Sequence, residues 1–344
     1  LADFADVSAT GSKSTSGFGA IDQMPNERAR EDAISYDLVT NVNMGQLLPE
    51  KWGIQLPFNY GISEQIITPE FDPVYDDLKL DDRIAAETTQ EGKDQILEQA
   101  EDYTKRTSIN LIGVRKNRSE EAEENFYDIE NFTFNYSYNE TDHRDFEIAS
   151  LREQNVVTGF VYNHNFKPVT VAPFAKKDSL FNGAYWKWLK ELNLSLLPST
   201  ISVNSNINRR FNQQRFRDVL EPGIEALDLP LLQQRNYMFN WQYALNYTLT
   251  KSLRLNLQAS NNNIVRNYFN QDENSAALIN QELELWDGFW DIGEPNRHAQ
   301  QMTLNYELPF KLIPALDFIN GQYTYTSNFD WQRGGDALNE VAGE

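Results

Sequence analysis

The chain has 344 residues, with 30 Lys+Arg against 51 Asp+Glu, a net charge of −21 and no cysteine. Such an acidic chain lacks the basic face that nucleic-acid binding requires, and the missing thiols exclude a disulfide framework, a thiolate zinc site and a cysteine nucleophile. No run reaches the roughly 18 apolar residues of a membrane-spanning helix, but the mean hydropathy of −0.60 does not exclude spanning strands, in which every second residue is polar.

Leu1 is followed at once by Asp3 and Asp6, so no signal peptide is visible. The expectation is a processed leader or a piece of something longer. Residues 1–10 form a weak strand, and the Gly11, Gly17, Gly19 run lacks the following helix that a phosphate cradle needs. Residues 33–45 place Ile34, Tyr36, Leu38, Val42 and Met44 on one face. Residues 53–63 oppose Ile54, Leu56, Phe58, Tyr60 and Ile62 to Gln55, Asn59, Gly61 and Ser63.

Residues 64–106 read as a long acidic extracellular loop. Within it, 64–102 hold thirteen Asp/Glu and three Lys/Arg. Calcium could take such carboxylates, but Asp72, Asp76, Asp77, Asp81 and Asp82 match no EF-hand spacing, and a solvated acidic loop is favoured. Ile96, Ala100 and Tyr103 stand at helical spacing, so a short amphipathic helix is expected near 94–104.

Residues 107–116 and 155–166 are weaker strands. Residues 131–139 oppose Phe132, Phe134, Tyr136 and Tyr138 to Thr133, Asn135, Ser137 and Asn139. The sequons at Asn131, Asn135 and Asn139 reflect that alternation rather than glycan acceptors. Residues 167–198 read as a periplasmic excursion with an interfacial helix, because Tyr185, Trp188, Leu189 and Leu192 share one helical face. Strands follow at 200–211, 238–250, 252–265, 301–311 and 317–331. In the second of these, Phe239, Trp241, Tyr243, Leu245 and Tyr247 face away from Asn240, Gln242, Ala244, Asn246 and Thr248.

About eleven strands result. Their wet positions carry Asn, Gln, Thr and Ser rather than charge, which suits a face lining a water-filled lumen opposite lipid. The fold class expected is all-β, an antiparallel up-and-down transmembrane β-barrel wall with short helices in its loops. Residues 1–344 then form a segment of a single outer-membrane barrel domain, and the odd strand number makes it a fragment of a larger one. Alternating strand directions put the turns 45–53, 249–253 and 310–317 on one side, taken as periplasmic. The connections 64–106, 212–237 and 266–299 fall on the other side, taken as extracellular.

Nothing in the sequence supports catalysis. His143, His164 and His298 show no ligand spacing and are expected to be exposed or lumen-facing. No nucleophile elbow, phosphate loop or dinucleotide fingerprint occurs. Trp286-Asp287-Gly288-Phe289-Trp290 could stack on sugars or peptides, though a loop packing on itself is favoured. No catalytic, cofactor-binding or metal-ligating residue is assigned, no cofactor is expected, and the chain is read as a non-enzyme. The readings weighed were a protein-conducting channel, an outer-membrane transporter or lipopolysaccharide-assembly barrel, and a secreted β-sandwich binding glycans.

Four stretches resemble the SprA (Sov) family, the outer-membrane barrel of the type 9 secretion system. They are Gly11 to Ala20; Ile34 to Asp77 with Leu47-Leu48-Pro49 and Trp52; Phe132 to Glu147; and Leu196 through Arg217. The resemblance implies a giant barrel, of which this chain is an internal part, passing folded cargo proteins, gliding adhesins among them, to the cell surface. It implies as partners a PorV-type shuttle protein, a periplasmic plug, a peptidyl-prolyl isomerase and outer-membrane lipid. No site residue is carried over from the family.

Overall fold

The computed structural model describes residues 4–16, 30–75, 77–119, 123–174, 183, 189, 192–217, 229–266 and 282–334. Eleven long strands make one antiparallel meander, each paired with its sequence neighbours. They are β1 (Ala5–Ser16), β2 (Glu31–Asn43), β3 (Pro57–Pro69), β4 (Asp102–Lys116), β5 (Phe132–Arg144), β6 (Ile148–Asn165), β7 (Thr200–Phe216), β8 (Leu232–Thr248), β9 (Leu253–Ile264), β10 (Glu294–Leu308) and β11 (Gly321–Gln332). The short piece Ile54–Gln55 joins the ladder beside β4, and Thr170–Val171 pairs separately with Leu194–Ser195. The sheet is open: among the described residues β1 and β11 each leave one edge unpaired.

All eleven expected strands occur, but many run further than alternation indicates, mostly towards one end of the sheet. β6 begins at Ile148 rather than 155, β8 at Leu232 rather than 238 and β10 at Glu294 rather than 301, while β7 continues to Phe216. These added segments are polar on both faces, as in Arg152-Glu153-Gln154-Asn155. Backbone pairing with an equally long neighbour holds them in the ladder without an apolar face.

Connections 44–56, 117–131, 166–199, 249–252 and 309–320 lie at one end of the meander, and 17–30, 70–101, 145–147, 217–231 and 265–293 at the other. The three expected turns therefore share an end and the three expected long loops share the opposite one. The shortest connection between the long strands, 145–147, lies on the long-loop side and breaks the simple rule of length. Asp145 closes it by accepting the N–H groups of Glu147 (2.8 Å) and Ile148 (2.6 Å).

The acidic connection is shorter than expected, 70–101, and holds two helices, α1 (Leu80–Ala86) and α2 (Gln90–Ala100). Tyr103 belongs to β4, not to a helix. Thr89 caps α2 by accepting from Gly92 N–H at 3.1 Å. Asp72 is buried instead of solvated: it accepts from the Val74 and Tyr75 amides at 2.7 and 3.1 Å and pairs with Arg83. The expected helix over Tyr185–Leu192 lies, apart from Leu189 and Leu192, outside the described residues.

Two glycines answer to geometry. Gly113 sits at a bulge in β4 with φ 80, and its N–H donates to Asn135 Oδ1 at 2.8 Å. Gly159 on β6 leaves no room for a side chain beside β7: a Cβ there would stand 2.2 Å from the Ser205 carbonyl oxygen and 2.9 Å from Asn206 Cα. Gly159→Ala is therefore expected to destabilise the sheet by about 1–3 kcal/mol as an overpacking change, read as a lower unfolding midpoint. An unchanged midpoint would refute so close an approach.

Candidate functional site

The register sorts the side chains into two faces. On one, amides line up across strands and bond laterally. Asn59 Nδ2 donates to Asn41 Oδ1 (2.6 Å), Asn110 Nδ2 to Asn59 Oδ1 (3.0 Å) and Ser137 Oγ to Asn110 Oδ1 (2.6 Å). A second ladder runs from Asn296 to Asn262 (3.2 Å), on to Asn240 (2.6 Å) and to Asn206 (3.1 Å). Gln258 adds a rung to Gln301 at 2.6 Å. A hollow of about 700 Å³ opens on this face and touches six consecutive strands, from Asn163 on β6 to Asp330 on β11. With strands about 4.8 Å apart, one hollow spanning six of them requires the sheet to curl towards its amide-rich side.

The other face is apolar and largely bare. Ile34, Tyr36 and Leu38 on β2, Phe132 and Phe134 on β5, Phe160 on β6, and Tyr323, Tyr325, Phe329 and Trp331 on β11 are all exposed. Only nine apolar residues are fully buried among those described. A soluble sheet of this size would bury one whole face against a second layer, and among the described residues only segment 283–291 covers part of this one. Exposed Trp52, Phe126, Tyr127 and Phe318 rim the end where the turns lie.

Towards the long-loop side one register row of the apolar face is largely charged, with Ile34 and Ile66 one row beyond it. Tyr36, Glu64, Lys105, Asp142 and Arg152 stand side by side on β2 to β6. Tyr36 donates to Glu64, Lys105 Nζ lies 3.6 Å from Glu64, and Arg152 Nε donates to Asp142 at 3.1 Å. Opposite charges alternate along the row, the cross-strand arrangement that stabilises a ladder.

Segment 283–291 folds back over the apolar side of β6 to β8 as a strap, a packing that reading it as a self-contained loop missed. Arg209 is fully buried beneath it, donating to the carbonyls of Phe289 (2.8 Å), Asp291 (2.6 Å) and Met238 (2.8 Å). Gln233 donates to Leu283 at 2.6 Å, Arg235 to Asp287, and Tyr237 Oη to Leu285. Leu285 and Phe289 complete a small core with Val156 and Phe211, while Trp286 stacks on Tyr138 and, with Trp290, stays exposed. Sequence did carry a signal: Arg209 and Arg235 stand at apolar-face positions, and a guanidinium there demands a cover that supplies acceptors.

The connections are tied by carboxylates. Asp128 accepts from the Asn125 amide (2.8 Å) and from Arg118 (2.6 Å), and these bonds, the amide first, hold its carboxyl below the usual range. The Thr89 amide does the same for Glu87. His143 bonds Thr104 and Asp145, at 2.9 and 3.2 Å. His298 lies on the apolar-facing register, 2.6 Å from Asn261. His164 is buried rather than exposed, 3.3 Å from Glu124 and edge-on to Phe166. Asn135 and Asn139 occupy the polar face as expected, but Asn131 precedes the strand and is buried against the Asn125 carbonyl. Among the described residues no three His, Asp or Glu converge as a metal-ligand set.

The geometry defines a single-layer, curled antiparallel meander with an amide-lined inside and an uncovered apolar outside. Residues 1–84 match the family model SprA_N, described as a motility related/secretion protein. The likeness read from Gly11–Ala20 and from Ile34–Asp77 is thus supported by that match, and the chain is a motility- and secretion-related protein. No curated protein matches the chain.

Proposed function

We propose that this chain is a stretch of wall in an outer-membrane barrel that exports folded proteins, gliding adhesins among them, through type 9 secretion. One observation carries the reading: a single-layer sheet turns a broad apolar face outward, covered among the described residues only by the 283–291 strap over β6 to β8, and an amide-rich face inward. Lipid against the first face and water against the second meet the needs of both. The aromatic rim at the turn end and Trp286 and Trp290 at the other end fit two headgroup levels. Strand edges left bare in lipid cost several kcal/mol for each unpaired group, so the edges of β1 and β11 are completed by further strands of the barrel. In this role the chain is a conduit and not a catalyst. A shuttle protein, a periplasmic plug and a prolyl isomerase are its partners by likeness to the SprA family.

Topology gives the test. With the turns in the periplasm and 70–101 outside, single cysteines replacing Asp77 and Glu50 should differ in intact cells. Only the one at 77 should react with a membrane-impermeant maleimide. Reaction at 50 with 77 silent reverses the orientation, and equal reaction at both removes the membrane from between them.

A further inference from the structure

Lys105, Arg144, Arg152 and Arg215 stand on adjacent strands β4 to β7, all on the apolar-facing register, within two neighbouring rows of the ladder. This clustering is unexpected in a chain of net charge −21. Two of the four, Arg144 and Arg152, line a hollow of about 310 Å³ together with Tyr103, Asp142, Ser150 and Gln213. The Arg144 guanidinium lies 4.3 Å from the Tyr103 ring centroid, its nearest carboxylate, Glu98, is 3.9 Å away, and its Nε is buried without a partner. Arg152 engages Asp142 through Nε and leaves its terminal nitrogens at a half-exposed surface.

Two guanidiniums flanking one hollow match the oxygens of a phosphate group, which planar forks bind in pairs. The hollow lies beside the charged row near the long-loop end of this face, and the strap tryptophan Trp286, of the kind that settles at headgroups, stacks on Tyr138, four residues along β5 from Asp142 towards the turn end. Further towards the turn end, past the Glu140 and Gln154 row and the strap-covered Tyr138 and Val156, the same strands present Tyr136, Phe134 and Phe160, a surface for acyl chains.

We propose that this hollow binds the phosphate of an acylated glycolipid in the outer leaflet, with its acyl chains lying on β5 and β6. The assignment rests on the outer-membrane reading above. Asp142 repels the anion in part, and its bond to Arg152 sets the orientation of that guanidinium.

The test uses the full-length protein purified in detergent and native mass spectrometry with phosphorylated lipid A, the same lipid after phosphatase treatment, and inorganic phosphate. The wild type should hold the phosphorylated lipid roughly tenfold more tightly than the dephosphorylated one, the effect of one or two charge-assisted bonds. Arg144→Gln with Arg152→Gln should bring the two lipids within about twofold, and Arg152→Gln alone, at a half-exposed site, should remove part of the difference. Arg106→Gln, on the opposite face, should behave as the wild type. Equal retention by wild type and double variant overturns the site. Displacement of the lipid by millimolar inorganic phosphate makes the ligand a free anion and overturns the lipid assignment. A protein that takes up no lipid and stays out of bilayers defeats the membrane reading itself, and the site with it.

Discussion

Leu245→Arg is expected to weaken membrane insertion by about 2–4 kcal/mol, whereas Asn246→Arg, one residue along the same strand, should be nearly neutral. The register places Leu245 between Ile201 on β7 and Leu257 on β9, an aliphatic row on the apolar face. Asn246 lies between Thr200 and Asn256 on the hollow face, where water would solvate a guanidinium. The asymmetry comes from solvent alone, because both side chains leave one strand at neighbouring positions. A folding titration into bilayers measures it. Equal penalties would mean that the two faces meet the same medium, and the channel reading would lose its physical basis.

The second large effect is in the strap. Phe289→Ala should cost about 3–5 kcal/mol of local stability, the range for truncating a buried phenylalanine. Phe289 is 6% exposed and packs with Leu285, Val156 and Phe211, while its own carbonyl accepts from Arg209. Losing the ring loosens the segment whose carbonyls accept from two buried guanidiniums, Arg209 and Arg235, so the strap should open before the sheet does. Amide hydrogen exchange would show it as lost protection over 283–291 and at Arg209 and Tyr237, with β9 and β10 unchanged. Protection equal to that of the wild type would show that the strap is held by its backbone bonds and not by this core.

Alternation found every long strand because the apolar band gives each a period of two. It failed beyond the band, where Asn212-Gln213-Gln214-Arg215 and Gln233-Gln234-Arg235 carry polar residues on both faces and pairing alone sustains the strand. Thr89 as a cap with Glu91 in the first turn was readable as the start of α2, three residues after α1 ends. The strap was not readable from its own residues. Its partners lie roughly fifty to eighty residues away on β7 and β8, and long-range contacts of that kind leave no local period. The amide ladders fall between these cases: their positions follow from alternation, but which amide bonds which depends on strand register.

The lateral amide ladders also bear on friction. A net hydrogen bond in water contributes about 1 kcal/mol, so six free amides gripping a passing hydrophilic surface could hold it by some 6 kcal/mol and lengthen its stay by about ten-thousandfold. In this sheet Asn59, Asn110, Asn240 and Asn262 already donate to asparagines on the neighbouring strands. Much of that grip is consumed within the sheet itself. In the proposed channel such a face would be wetted but only weakly adhesive, a lubricant past which large hydrated bodies slide without being sorted by what they carry.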